Sequence, residues 1–192
     1  MYNSKVKQWK KKKGEKILRE FGIQQGQKIL DFGCGSGVYT ILCSKIVANS
    51  GQVYALDSDE EGSLHELEQK IEKKKLTNIE IIKTSGEIEL PFENKSLDVV
   101  LFYDVIHLLE AEQRRLLIEE SARVLKENGF ISYHATHLGG GYNVSVERIN
   151  SMMESVNLML RDKYERPMFH WINIENSQIF NYSFSKEDSH QY

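Results

Sequence analysis

The sequence predicts an α/β fold in which a mostly parallel sheet lies between two layers of helices. The stretch K-I-L-D-F-G-C-G-S-G at 28–37 is an apolar run, an acid and a glycine-rich turn, and apolar residues at helical spacing follow it. Residues 97–102 are nearly all apolar, which is typical of a parallel strand buried on both faces. Strands that alternate with helices imply parallel crossovers of right-handed sense.

The elements of this fold can be placed in order along the chain. A basic N-terminal helix ends before Gly22 and Gly26, and a helix after the glycine turn stops near Gly51. A third helix carries an apolar stripe from Leu64 to Ile71, and a fourth, at 110–126, is amphipathic and ends at Asn128-Gly129. The five predicted strands lie at 28–32, 52–56, 79–83, 97–102 and 130–134.

The C-terminal part is less regular. A helix is predicted at 144–157 because apolar residues recur on one face. Two further strands are predicted at 158–165 and 179–185, with a long turn between them that contains Pro167.

Composition limits the class of protein. A chain of 192 residues that is 40% hydrophobic favours one domain with a sizeable core. Apolar runs stay well short of the ~20 residues that span a bilayer, and the charged N-terminus does not resemble a secretory signal. The two cysteines, Cys34 and Cys43, are spaced like small buried residues rather than a disulfide or metal pair. We expect a cytoplasmic protein with no membrane partner.

Charge is unevenly distributed along the chain. Residues 1–20 hold eight Lys or Arg against two Glu, although the whole chain has a formal net charge of −3. The run from Lys10 to Lys13 beside Trp9 can be interpreted as a nucleic-acid or membrane contact, or as the solvated face of a helix. We favour the solvated helix, because the acidic remainder suits long nucleic acid poorly.

The ligand of the glycine turn is limited by two residues. Val38 occupies the third small position of a dinucleotide fingerprint, where close helix packing needs Gly or Ala. Asp31 would repel a pyrophosphate at the helix N-terminus but suits a ligand with positive charge. S-adenosylmethionine, with its ammonium and sulfonium groups, is such a ligand.

With this motif the chain resembles the class I S-adenosylmethionine-dependent methyltransferases. The resemblance implies a Rossmann-like three-layer αβα sandwich whose seven-stranded, mostly parallel sheet ends in an antiparallel C-terminal hairpin. It implies a methyltransferase domain over 26–192, preceded by a basic helical segment at 1–25 that is a candidate lid. The expected cofactor residues are Asp31, Gly33, Cys34, Gly35, Gly37, Asp57, Ser58, Gly86, Glu87, Phe102 and Tyr103.

Two further segments bear on the cofactor: Asp57 agrees with the family, and the stretch at 85–92 departs from it at one position. Asp57 ends the second strand, 24 residues after Gly33, where an acid accepts hydrogen bonds from ribose; Ser58 would then lie against adenine. The stretch at 85–92 resembles the family's adenine-contact segment and ends L-P-F as that segment does. Gly86, however, stands where the family places an aspartate that accepts a hydrogen bond from the adenine amino group. Glu87, Ser85 or a water molecule is a candidate substitute for this acid. The missing acid also leaves open the alternative of a cofactor-binding module without turnover.

Catalytic candidates follow strands four and five. Ligands bind at the carboxyl ends of strands in open α/β sheets, which places Tyr103 and Asp104 at the site. His107 and His134 are further candidates for a base, if the acceptor must lose a proton. His134 and His137 are three residues apart, but no Cys or third His has a supporting spacing, so we predict no metal.

The methyl acceptor is the part that the sequence identifies least. An N-P-P-[YFW] segment is absent, which argues against a common type of nucleic-acid amino methylase. We predict a small-molecule acceptor, covered by the N-terminal segment and a loop at 138–144. An RNA methyltransferase that uses the basic N-terminus is the alternative. We expect a monomer or a homodimer.

Overall fold

The computed structural model describes residues 4–58, 62–139, 142 and 144–185, which form a seven-stranded sheet flanked by helices. The strands are β1 Lys28–Phe32, β2 Gln52–Asp57, β3 Ile79–Lys83, β4 Leu97–Tyr103, β5 Leu125–Ala135, β6 Leu158–His170 and β7 Asn173–Phe184. The α-helices are α1 Ser4–Gln8, α2 Gly14–Glu20, α3 Val38–Val47, α4 Ser63–Lys74, α5 Ala111–Val124 and α6 Val146–Glu154. A π-helical turn, Trp9–Lys13, joins α1 to α2.

The strand order is β3-β2-β1-β4-β5-β7-β6. Strands β1 to β5 pair in parallel, and β7 is antiparallel to both β5 and β6. This confirms the predicted fold, including the antiparallel hairpin. The order reverses between β1 and β4, and the crevice at such a switch point is where open α/β sheets bind ligands.

The prediction of a long turn in the hairpin was wrong. Apart from a register shift between Leu160 and Asp162, strands β6 and β7 pair up to His170 and Asn173, so the turn is only Trp171-Ile172. Pro167 lies inside β6 rather than in a turn. A proline is tolerated there because β6 is the edge strand of the sheet, where one side of the backbone needs no partner.

The N-terminal segment is packed into the fold. Val6 and Trp9 are each 1% exposed, and Trp9 Nε1 donates a hydrogen bond to the Pro167 carbonyl over 2.5 Å. The Trp9 ring also makes an edge contact with Tyr39 on α3, with 5.9 Å between centroids. Removing this segment would therefore expose a large part of the core on that side of the sheet. Its predicted role as a lid stays a prediction.

Among the described residues, no helix combines the length and apolar character needed to cross a bilayer. The predicted cytoplasmic location and the predicted monomer or homodimer stay predictions. The second predicted lid, at 138–144, includes residues 140, 141 and 143, which lie outside the described residues.

Candidate active site

A cleft of about 880 Å³ opens at the carboxyl ends of β1, β2 and β4. Its volume lies within the range typical of sites for small molecules. Most of the predicted site residues line it: Asp31, Gly33, Cys34, Gly35, Asp57, Ser58, Gly86, Glu87, Tyr103, Asp104 and His107. Gly37, Phe102 and His134 do not line this cleft.

The glycines of the turn have different roles. A Cβ on Gly35 would meet no atom within 4 Å, so the space above this residue is open to a ligand. A Cβ on Gly33 would lie 2.4 Å from Val105, and one on Gly37 would lie 2.3 Å from Leu67. Gly33 and Gly37 therefore allow close packing of the turn, and Gly35 is the position at which the backbone can approach a ligand.

Asp57 is held by the turn that it faces. The backbone N–H of Gly35 donates to Asp57 Oδ2 over 2.8 Å, across the ends of β1 and β2. This hydrogen bond fixes the carboxylate in the cleft at the place where the sequence predicts a ribose contact. An acid at this position can accept hydrogen bonds from vicinal hydroxyls.

Asp31 is a buried carboxyl group beside the cleft. It is 2% exposed, and Thr40 Oγ1 donates to its Oδ2 over 2.5 Å. Burial, with a smaller contribution from Asp57, raises the pKa of Asp31 to about 6. Two carboxyl groups at one end of a cleft favour a ligand with positive charge, as the sequence predicts.

The predicted adenine segment departs from the family in the way the sequence suggests. Gly86 has a φ of +94° and leaves open space where a side chain would stand. Glu87 accepts a hydrogen bond from the backbone N–H of Ser85 over 3.0 Å, and both Gly86 and Glu87 line the cleft. Glu87 thus lies at the cleft, in a local turn that directs its carboxylate toward the backbone.

Tyr103 and His134 are poorly placed to act as bases. The Tyr103 hydroxyl is paired with Ser132 Oγ at 2.8 Å, and burial raises its pKa far above its usual range. His134 is 0% exposed, and burial lowers its pKa to about 3. Neither ring nitrogen of His134 has a hydrogen-bond partner among the described residues. His134 is buried away from the cleft, and Tyr103 lines the cleft with its hydroxyl held by Ser132, so neither group is free to act as a base.

Asp104, which lines the cleft, lies close to three histidines. His107 also lines the cleft, whereas His137 and His170 line a neighbouring pocket. Its Oδ1 lies 3.5 Å from His137 Nε2, 3.3 Å from His170 Nε2 and 3.8 Å from His107 Nδ1. Asp104 follows β4 with a φ of +61°, an unusual conformation for aspartate that turns its carboxylate toward β5 and the hairpin. Burial, followed by the neighbouring His137, lowers the pKa of His107 to about 4.

His170 was not predicted, and His137 was considered only as a partner of His134. His134 and His137 follow each other in H-A-T-H, yet it is His137 and His170 that meet, with 3.1 Å between their Nε2 atoms. The sequence offers no local signal for this meeting, because it depends on the register of a hairpin that brings residue 170 to the end of β5.

An apolar rim borders the cleft. Trp171 and Leu108 line the cleft and are 67% and 70% exposed. The ring of Phe169 also lines it, and Lys10 Nζ lies 4.0 Å from the centroid of that ring. Large exposed apolar side chains at the mouth of a cleft are typical of a binding surface.

The residues of the cleft fit S-adenosylmethionine. The open space above Gly35 admits a ligand close to the backbone, and Asp57 presents a carboxylate for hydroxyl groups. Asp31 supplies negative charge for a cationic end. When bound, this cofactor supplies a methyl group attached to a sulfonium sulfur, and that sulfur is a good leaving group.

The fold and the cleft thus define a Rossmann-like nucleotide-binding α/β domain, and comparison with known proteins identifies its family. The model of the family described as "Methyltransferase domain" matches residues 29–129, which is more than half of the chain. The chain belongs to this family, the class I S-adenosylmethionine-dependent methyltransferases, which confirms the predicted resemblance.

Similar proteins include curated and structurally characterised methyltransferases. A demethylmenaquinone methyltransferase of Staphylococcus aureus (strain MRSA252) is 32% identical over 127 residues, 65% of this chain and 48% of that protein. The chain therefore spans about half the length of the curated relatives it matches.

Two solved structures share the fold. A SAM-dependent methyltransferase from Aquifex aeolicus has a TM-score of 0.71 at 24% identity, covering 88% of this chain and 87% of that one. The fibrillarin of Aeropyrum pernix, crystallised with natively bound S-adenosyl-L-methionine, has a TM-score of 0.61 at 17% identity, covering 83% and 67%.

Proposed function

We propose that this chain transfers the methyl group of S-adenosylmethionine to a small-molecule acceptor with an apolar body. The observation that carries this proposal is the continuity of the cleft. It runs from the acids at the ends of β1 and β2 to the apolar rim of Leu108 and Trp171. A cofactor at the acidic end would leave the rim for the acceptor.

The chain's own residues act mainly by positioning. Methyl transfer requires the acceptor atom to be held close to the methyl carbon and in line with it, and such positioning supplies several kcal/mol of the barrier. Trp171 offers a flat apolar surface to a ring or a hydrocarbon chain. Asp104 and His107 are the polar groups that face the acceptor end, and they can orient a hydroxyl or ring oxygen there. The name of the curated relative, a demethylmenaquinone methyltransferase, agrees with an acceptor of this kind.

The test measures S-adenosylhomocysteine formation against a panel of phenols, quinols and short-chain acids. Trp171→Ala should raise KM for an accepted phenol or quinol by about tenfold, with a smaller effect on kcat. The substitution removes apolar contact that contributes roughly 1–3 kcal/mol to the binding free energy of the acceptor. Ile172→Ala is the matched control, because Ile172 is the other residue of the same turn and does not line the cleft. Failure to bind S-adenosylmethionine at millimolar concentration would refute the proposal.

A binding module without turnover is the second candidate, and Gly86 favours it. This glycine removes the acid that the family resemblance predicts for the adenine amino group. Calorimetric binding of the cofactor, together with no product from any acceptor in the panel, would support the module over the enzyme.

A further inference from the structure

We propose that Asp104, His137 and His170 form a binding site for a divalent transition-metal ion between the cleft, which Asp104 lines, and the neighbouring pocket, which His137 and His170 line. Among the described residues, these three are the group whose ligand atoms approach one another closely enough to share an ion. They come from three separate places: the end of β4, the loop after β5 and the end of β6. The inference concerns a site that the proposed methyl transfer does not itself require, and it replaces the sequence-based prediction of no metal, which considered His137 only together with His134.

The spacing of the three ligand atoms fits a zinc ion. Asp104 Oδ1, His137 Nε2 and His170 Nε2 form a triangle with sides of 3.1, 3.3 and 3.5 Å. Ligand atoms bound at 2.0–2.1 Å in tetrahedral geometry lie about 3.3 Å from one another. The triangle therefore already has the dimensions of one face of a tetrahedral site, and an ion would sit just outside its plane.

The outer nitrogen of His170 has a carboxylate beside it. Its Nδ1 lies 3.0 Å from Glu175 Oε2, and an ionised carboxylate can only accept a hydrogen bond. A neutral ring with its proton on Nδ1 donates to Glu175 and leaves Nε2, the nitrogen nearest Asp104 and His137, free to bind an ion. A carboxylate behind the outer nitrogen of a histidine is the usual second partner of a metal ligand. Thr136 Oγ1 similarly holds Asp104, donating to Oδ1 over 2.8 Å.

A fourth group faces the same space. The His107 side chain is buried, and its Nδ1 has no hydrogen-bond partner among the described residues although it lies 3.8 Å from Asp104 Oδ1. An unpartnered ring nitrogen in a buried position costs free energy unless it meets a ligand. We assign His107 to hydrogen-bond the oxygen that occupies the open fourth position of the ion, whether that oxygen belongs to water or to an acceptor.

The ligand set points to zinc chemistry of the catalytic type. Two imidazoles and one carboxylate with an open position are typical of catalytic zinc, and the same set occurs in iron(II) sites. The open position lies beside the cleft, because Asp104 and His107 both line the cleft. Where the proposed methyl transfer holds, the ion would bind an acceptor through a hydroxyl, enol or carboxylate oxygen.

The experiment titrates the chelator-treated full chain with zinc and measures binding by calorimetry. Cobalt(II) in a parallel titration reports tetrahedral coordination through its visible absorption bands. The wild-type protein should bind one ion per chain. His137→Ala and His170→Ala should each weaken binding by more than 100-fold, whereas Glu175→Gln should weaken it by about 10- to 100-fold because it removes only the outer partner.

The matched control is His65→Ala, since His65 lies exposed on α4 and outside the triangle. Its zinc affinity should equal that of the wild type. S-adenosylmethionine binding, measured on the same samples, reports that each variant is folded, and it separates this inference from the proposed function. A wild-type protein that binds S-adenosylmethionine but no zinc overturns the metal site alone. Zinc binding that survives both His137→Ala and His170→Ala also overturns it, because the ion would then lie elsewhere.

Discussion

The backbone N–H of Gly35 donates a hydrogen bond to Asp57 Oδ2 over 2.8 Å, which ties the glycine turn after β1 to the acid that ends β2. One oxygen of the Asp57 carboxylate is thereby bonded to the protein backbone, and the carboxylate keeps one orientation in the cleft. A carboxylate that is positioned in advance loses little conformational freedom when a ligand binds. The turn and the acid therefore act as one unit.

Asp57→Asn should weaken S-adenosylmethionine binding by about 10- to 100-fold, the loss expected when hydrogen bonds to a charged acceptor become neutral ones. Isothermal calorimetry measures the change. Asp98→Asn is the matched control: Asp98 lies near the start of β4, at the opposite end of the sheet, where it accepts from the backbone N–H of Lys28. Equal affinities for Asp57→Asn and the wild type would exclude Asp57 from the cofactor site.

Cofactor binding should weaken as the pH falls below about 6. Burial raises the pKa of Asp31 to about 6 in the folded, cofactor-free protein, so its carboxyl becomes neutral below that pH. A neutral Asp31 no longer attracts the cationic end of the ligand. The dissociation constant, measured from pH 5 to pH 8, should rise toward the acidic end for the wild type. The same profile for Asp31→Asn should be flatter, with weaker binding at pH 8.

The same substitution should stabilise the cofactor-free protein at pH 7. The pKa of Asp31 is about 6 when folded against a usual value of 3.8, so the folded state holds the proton more tightly than the unfolded state. The resulting cost to stability is absent below pH 4, grows as the pH rises and is complete above pH 6, at roughly 3 kcal/mol. Urea unfolding should therefore show Asp31→Asn gaining about 1–3 kcal/mol over the wild type at pH 7, and little at pH 4. A gain that does not depend on pH would contradict this account.

Much of the cofactor end could be predicted from the sequence, because its residues are close together in the chain. The strand, turn and helix at 28–47 are one local unit, and Asp57 follows at the end of the next strand. The acceptor end depends on long-range register instead. Asp104, His137 and His170 meet only because β7 pairs with β5 and β6 with β7, and neither spacing nor periodicity encodes that alignment.

The helix before β5 shows a smaller limit of the same kind. The sequence predicts a helix at 110–126 and a strand from 130, but α5 ends at Val124 and β5 begins at Leu125. Leu125 pairs with Leu97 before the register shifts by a bulge, so tertiary pairing extends the strand through Asn128-Gly129. Turn-forming residues predict a break at that point, and the neighbouring strand overrides it.

The glycines of the turn should separate folding from binding. Gly37→Ala places a methyl group 2.3 Å from Leu67 and should lower the free energy of unfolding by about 1–3 kcal/mol through overpacking, beyond the strain of a positive φ. Gly35→Ala meets no atom and should cost only about 1 kcal/mol from strain. Its main effect should be on S-adenosylmethionine affinity, since its methyl group enters the cleft. Calorimetry and urea unfolding on both variants test this, and a larger stability loss for Gly35→Ala would contradict the packing argument.

Whether the basic N-terminus binds RNA can be tested without removing the segment, and the buried Trp9 shows why the segment should be kept. Trp9→Ala should destabilise the protein by about 3–5 kcal/mol, as expected for a large core side chain, so a truncation would confuse unfolding with lost binding. Lys11, Lys12 and Lys13 are exposed on the π-helical turn, and replacing all three with Ser should change the unfolding free energy by no more than about 1.5 kcal/mol, about 0.5 kcal/mol for each exposed position. Small-molecule methyl transfer should also be unchanged.

If the chain is instead an RNA methyltransferase, the triple variant should bind a short RNA more weakly than the wild type. The slope of log affinity against log salt should then fall by up to about 2–3, since each phosphate contact contributes roughly 0.7–0.9.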